Sequence, residues 1–188
     1  MARSPILFLR AGHHDRDPGA VANGVQEAAL TIALRDRIAR HLRANGVLVE
    51  LDNDTHNLAQ DIARLHTQVR PQDLVLDIHF NAATPAASGT ECFVSATPSQ
   101  RAINIGEQLA IITAAELAIP NRHRFNAGRV KRESQTQHGR LGIMRLPCDV
   151  VLWEVCFITN PNDLASYNRN QGSLVCAVGD YLVSLTQV

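Results

Sequence analysis

Apolar and polar positions switch between two periods along the chain, and the switches divide it into elements. Ile6 to Leu9 is a short apolar run ending in Ala11-Gly12, the pattern of a buried strand that opens into a loop. From Glu27 to Asn45 the spacing changes: Leu30, Leu34, Ile38 and Leu42 recur every four residues, with Arg35, Asp36, Arg37, Arg40 and Arg43 between them. This predicts an amphipathic helix of about five turns, stopped by Asn45-Gly46. Val47 to Leu51 reads as a second strand, Leu58 to Val69 as a second helix ended before Pro71, and Leu74 to Ile78 as a third strand. Gly89 to Ser95 alternates like a half-exposed strand, and Gln100 to Leu117 is a third helix that stops before Pro120. Asn121 to Gly139 is polar and without period, which in a compact domain marks a functional or mobile segment. Leu141 to Met144 and Val150 to Val155 return to strand character, and Leu174 to Leu185 closes the chain as a helix.

There is no repeat, low-complexity tract or Pro/Ser-rich linker, so one domain over residues 1–188 is expected. Strands alternating with helices predict a three-layer α/β/α domain around a largely parallel, twisted sheet. In such sheets active residues gather where strands end and loops leave for the next helix. That edge holds Gly12-His13-His14, His79-Phe80-Asn81 and Glu154.

Composition narrows the classes. The 188 residues are 45% apolar and 19% charged, a globular balance. A domain of this size buries roughly 70% of its unfolded surface. Lys and Arg (18) cancel Asp and Glu (18), so the basic excess of a nucleic-acid binder is missing. No apolar run reaches the ~20 residues of a membrane span, and Pro5 to Leu9, broken by Arg10, is too short for a signal-peptide core. Cys92, Cys148, Cys156 and Cys176 form no C-x-x-C pair and read as buried small hydrophobes. The oddity is histidine: eight, against five Phe, two Tyr and one Trp.

Two strand-end imidazoles, His13 and His79, with a carboxylate beside them would make the two-His, one-carboxylate set of a catalytic zinc site. Glu27 is the candidate, since it opens the first helix, where the helix dipole favours negative charge. Glu154 lies in the apolar run Leu152-Trp153-Glu154-Val155-Cys156-Phe157, where an unpaired acid costs several kcal/mol unless something at the site offsets it. A salt bridge to an Arg is the bland alternative for that acid, and a hydrogen-bonded structural role for each His.

The local sequences then resemble a known family. AGHHDRDPGAVANGVQEAAL (11–30), DLVLDIHFNA (73–82), SGTECFV (88–94) and LWEVCFITNPNDLASY (152–167) are similar, in order, to the motifs of the type-3 family of zinc-dependent N-acetylmuramoyl-L-alanine amidases. The F-I-T-N-P run and Asn57-Leu58 resemble its phage and prophage lysin branch. The resemblance implies that His13, Glu27 and His79 bind one Zn²⁺ and that Glu154 is the catalytic acid/base. It implies that Asn81 fixes the loop carrying His79, and that Arg129 and Lys131 belong to a substrate loop, although Arg129 and Gly128 are exchanged relative to the family's R-G-V-K. His14 stands where the family has Gly and is a conceivable extra ligand. Asp77, on the same strand face as His79, either orients that ring or pairs with an Arg.

The expected activity is hydrolysis of the amide joining muramic acid to L-alanine in peptidoglycan. A zinc peptidase acting on another stem-peptide amide, or a non-catalytic wall-binding module, are the rivals. Arg122, Arg124, Arg129, Lys131 and Arg132 would form a basic rim for stem-peptide carboxylates, or else a solvated loop. Without a signal peptide, a cytoplasmically made enzyme would reach the wall through a holin, lysis or specialised secretion.

Overall fold

The structure, a computed structural model, describes residues 3–186. The chain runs β1 (Leu7–Ala11), the hairpin β2 (Val21–Ala22) and β3 (Val25–Gln26), α1 (Glu27–Ala44), β4 (Val49–Leu51), α2 (Leu58–Gln68), β5 (Leu74–Asn81) and β6 (Glu91–Val94). It continues through α3 (Gln100–Leu117), β7 (Lys131–Arg132), β8 (Asp149–Phe157) and α4 (Pro161–Ser184). One six-stranded sheet has the order β4-β1-β5-β8-β6-β7. Neighbouring strands are parallel except β6 against β8, so the largely parallel α/β expectation holds.

Successive residues of a strand point to opposite faces. Leu7 and Leu9, Leu76, Ile78 and Phe80, and Val151, Trp153 and Val155 join the buried sides of α1, α3 and α4 in the larger core. On the other face Phe8, Val75, Val150, Leu152 and Phe93 pack on Leu65 and Val69 of the α2 region and on Ile143, Met144 and Leu146. Helices therefore lie on both sides of the sheet, with the second outer layer thin.

On that thin side the strands change character halfway along. Phe8 gives way to Arg10, Val75 to Asp77 and His79, Leu152 to Glu154; in antiparallel β6 the order reverses, Glu91 before Phe93. The apolar halves seal against α2 and the 142–146 segment, and the polar halves form the floor of a cleft.

Helix starts follow capping chemistry. Asn57 and Gln60 form a reciprocal capping box on α2, and the Asn160 side chain accepts from the backbone N–H of Asn162 and Asp163 ahead of α4, with Pro161 in its first turn. The closing helix thus begins at Pro161 and not at Leu174. The polar stretch Asn168 to Ser173 hides its period, although Leu164, Tyr167 and Leu174 are all buried.

Three further expectations need correction. Leu141 to Met144 is not a strand; Gly142–Arg145 is a 3₁₀ turn. Four apolar residues do not distinguish the two, and the Glu133 carboxylate folds the segment down by accepting from Leu141 N at 2.8 Å and from Arg145. The strand within Gly89 to Ser95 is Glu91–Val94, buried throughout because β8 and β7 flank it. The cysteines are free, but only Cys92 and Cys156 are buried; Cys148 is partly covered and Cys176 exposed. No described helix is long and apolar enough to cross a membrane.

Candidate active site

The end of β1 and the end of β5 bring His13 and His79 together, with ring centroids 5.4 Å apart. Glu27 reaches between them from the first turn of α1: Oε2 lies 3.1 Å from His13 Nε2 and Oε1 lies 3.0 Å from His79 Nδ1. Backbone N–H groups of Ala20 (3.0 Å) and Phe80 (3.1 Å) also donate to this carboxylate and fix it. Two glycines make the approach feasible. A Cβ on Gly12 would lie 2.4 Å from the His79 ring, and one on Gly19 would lie 2.5 Å from His13 Cδ2 and 2.7 Å from Glu27 Oε2. His13 itself adopts the left-handed region, φ 69°, where side chains other than Gly are uncommon.

Each imidazole has a second carboxylate behind it. Asp17 Oδ2 is 2.9 Å from His13 Nδ1, and Asp77 Oδ2 is 3.5 Å from His79 Nε2. Asp77 also accepts from Arg10 Nη1 at 2.9 Å, and Arg10 binds Asp61 of α2 through its Nε. Asp77 thus touches both His79 and Arg10 in one buried chain of contacts. Burial opposes charge on Glu27, but hydrogen bonds and charge from both imidazoles outweigh it and hold its pKa well below the usual carboxylate range. Burial likewise opposes protonation of His13 and His79, and their carboxylate partners override it and raise both.

One donor atom each from His13, Glu27 and His79 lies within 4.8 Å of the others. Two nitrogens, one carboxylate oxygen and carboxylates behind each ring match the donor chemistry of a catalytic divalent-metal site. The residues present fit such an ion.

Glu154 lies beside this cluster, in register with His79 on β8 and with Glu91 across the antiparallel pair. Its Oε2 is buried without a hydrogen-bond partner among the described residues. Burial pushes its pKa up to about 8; His79 opposes the rise, and the charges of Glu27, Glu91 and Asp77 reinforce it. The two arginines lining the same cleft pair with other acids, Arg10 with Asp61 and Asp77 and Arg122 with Glu91. A carboxyl with one free oxygen and a near-neutral pKa is suited to accepting and returning a proton.

All these groups line one cleft of about 570 Å³, walled by Leu141 to Ile143 and floored by Phe93, Leu152 and Phe157. Asn81, Asp77, Arg122 and Lys131 are in it; Arg129 is not. Arg129 is exposed and borders a separate groove with Glu107 and Gln135. His14 lies at the cleft edge, its Nδ1 3.3 Å from Arg16 N, and is outside the three-residue cluster. Asn81 does not fix its own loop alone: its Nδ2 donates to Glu91 Oε1 at 2.7 Å. Sequence reasoning passed over Asp17, Arg10 and Glu91. Arg10 interrupts a buried run in register with Asp77, and Glu91 lies in the quoted SGTECFV motif, so both had a signal.

A mostly parallel α/β sheet that presents a His-Glu-His cluster beside an unpaired carboxyl has the donor set of a metallohydrolase. The chain belongs to the family described as N-acetylmuramoyl-L-alanine amidase, whose profile matches residues 7–180. It is 30% identical over 168 residues (87% of this chain, 31% of the relative) to the N-acetylmuramoyl-L-alanine amidase LytC of Bacillus subtilis. It is also 30% identical over 92 residues (48% of this chain, 34% of the relative) to the endolysin of Bacillus phage SPP1. The chain thus spans about a third of each of these curated relatives. Among solved structures, a protein from Neisseria meningitidis assigned as an N-acetylmuramoyl-L-alanine amidase superposes with TM-score 0.79 at 26% identity, over 96% of this chain and 94% of that one.

Proposed function

We propose that residues 1–188 form one catalytic domain that hydrolyses the amide between N-acetylmuramic acid and L-alanine in peptidoglycan. His13, Glu27 and His79 would hold one Zn²⁺. Bound zinc supplies a Lewis acid that polarises the amide carbonyl and acidifies water. Glu154 takes the proton of the attacking water and returns it to the departing alanine amine. Asp17 and Asp77 hold the two imidazole rings in orientation, and Phe93, Leu152 and Phe157 keep the floor apolar around Glu154. The observation that carries the reading is the partnerless Glu154 oxygen beside the His-Glu-His cluster in a chain of this family.

A balanced formal charge argues against nucleic acid as the partner, and the enzyme would act on the wall after release through a holin, lysis or specialised secretion. Chelation should abolish clearing of purified peptidoglycan, and added Zn²⁺ should restore it. Clearing that survives complete removal of metal contradicts the proposal.

A further inference from the structure

Thr31 is fully buried one turn after Glu27 on α1, and positions four apart share a helix face. Its hydroxyl donates to the Gly12 carbonyl at 2.8 Å, with the Ala28 carbonyl of its own helix 3.0 Å away. Any helical Ser or Thr can make the second contact. The first reaches out of the helix to the end of β1, to the residue before His13.

The need for that donor arises in the sheet. β1 and β5 pair in parallel as far as Ala11 and Ile78, and the Gly12 N–H continues the ladder by donating to the Ile78 carbonyl at 2.7 Å. The next rung would run from the Phe80 N–H to the Gly12 carbonyl. That N–H donates to Glu27 Oε1 instead, at 3.1 Å. Glu27 thus withdraws the donor that the sheet would give to Gly12, and Thr31, on the same helix face, supplies a replacement.

The replaced bond bears on His13. The Gly12 carbonyl and the His13 N–H belong to one rigid peptide plane, and turning that plane changes the φ of His13. That φ is 69°, in the left-handed region, which a residue other than glycine keeps only where its surroundings hold it. Gly12 therefore links the three elements of the cluster: β1 through His13, β5 through the Ile78 carbonyl and α1 through Thr31.

We propose that Thr31 is a positioning residue of the metal site, whose hydroxyl replaces the sheet donor taken by Glu27 and holds the Gly12–His13 peptide plane in the orientation that aims His13 at the ion. The inference rests on the His13, Glu27 and His79 ligand set above.

The test reads zinc affinity by competition with a chromophoric chelator, at a temperature where circular dichroism shows every variant folded. Thr31→Val keeps the side-chain shape and removes the hydroxyl. It should bind zinc at least about tenfold more weakly, the range for lost groups that support a ligand. Thr31→Ser retains the hydroxyl and should recover most of the affinity. Thr113→Val is the control: Thr113 is equally buried, its hydroxyl donates to the Leu109 carbonyl within α3 at 2.7 Å, and zinc affinity should not change. Should Thr31→Val fail to fold, Thr31→Ser should bind zinc at least about tenfold more tightly than Thr31→Ala, which differs from it by the hydroxyl alone. Unchanged affinity in Thr31→Val, a serine protein as weak as the valine one, or an equal loss in Thr113→Val overturns the positioning role and leaves the ligand set standing. An unaltered protein that binds no zinc overturns both.

Discussion

His79 and Glu154 are register partners on the adjacent parallel strands β5 and β8, which fixes this imidazole of the His-Glu-His cluster and the unpaired carboxyl to one backbone frame. His79 is held by hydrogen-bonding contacts to Glu27 and Asp77, and Glu154 acts on it through charge alone. Glu154→Gln should therefore lower turnover by at least about 10²-fold while zinc content, read by elemental analysis, stays at that of the unaltered protein. Retained turnover removes Glu154 from the chemistry; lost zinc makes it part of the ligand set.

Gly12 is the tightest constraint on the metal cluster. With an added Cβ 2.4 Å from the His79 ring, Gly12→Ala displaces the imidazole through packing alone. Competition with a chromophoric chelator should show zinc affinity at least about tenfold weaker, the range seen when groups supporting a ligand are lost. Gly172→Ala is the control: it lies within α4 with its nearest contact at 3.9 Å, and it should leave zinc binding unchanged.

Arg10 ties α2 to the site by joining Asp61 to Asp77. Arg10→Met takes the shared cation from two buried carboxylates, leaving Asp61 only Arg64 and Asp77 only His79, and removing one partner of a buried pair costs about 3–5 kcal/mol. Denaturant unfolding of the metal-free protein should show a loss of that size. A loss below about 1 kcal/mol would mean that water reaches these acids and that the chain of contacts does not support His79.

Protons and metal compete for the imidazoles. Without metal, the folded pKa of His79 lies above 6.5, so its stabilisation is full below pH 6.5 and is lost as pH rises through the folded value. Glu27 runs the other way: its folded pKa lies below 4.5, so its contribution is present above 4.5 and lost only as pH falls through that lowered value. Metal requires the neutral rings. The Tm of the chelated protein should fall as pH rises above about 6.5 through the raised imidazole values, and the Tm increment on adding zinc should grow in the same direction. An increment that shrinks with rising pH contradicts these ligands.

Much of this site was legible because strand ends are where an apolar period breaks. Leu-Phe-Leu-Arg-Ala and Leu-Val-Leu-Asp-Ile-His announce both a buried strand and the polar residue that ends it, so His13, His79 and Glu154 could be placed by strand order. What stayed hidden depends on contacts distant in sequence. The 142–145 turn follows Glu133, the early start of α4 lies behind a polar exposed stretch, and the separation of Lys131 from Arg129 depends on β7, a strand too short to show a period. Glu91 was visible as a motif residue, but its three partners come from β5, β7 and the segment after α3.

The most direct measurement is mass spectrometry of muropeptides after digestion of purified peptidoglycan, with and without chelator. Cleavage at the muramoyl amide releases stem peptides that begin with a free L-alanine amine and leaves glycan chains bearing intact lactyl groups, and chelation should abolish both. New amines only within the stem peptide, or release undiminished by chelator, would contradict a zinc-dependent muramoyl amidase.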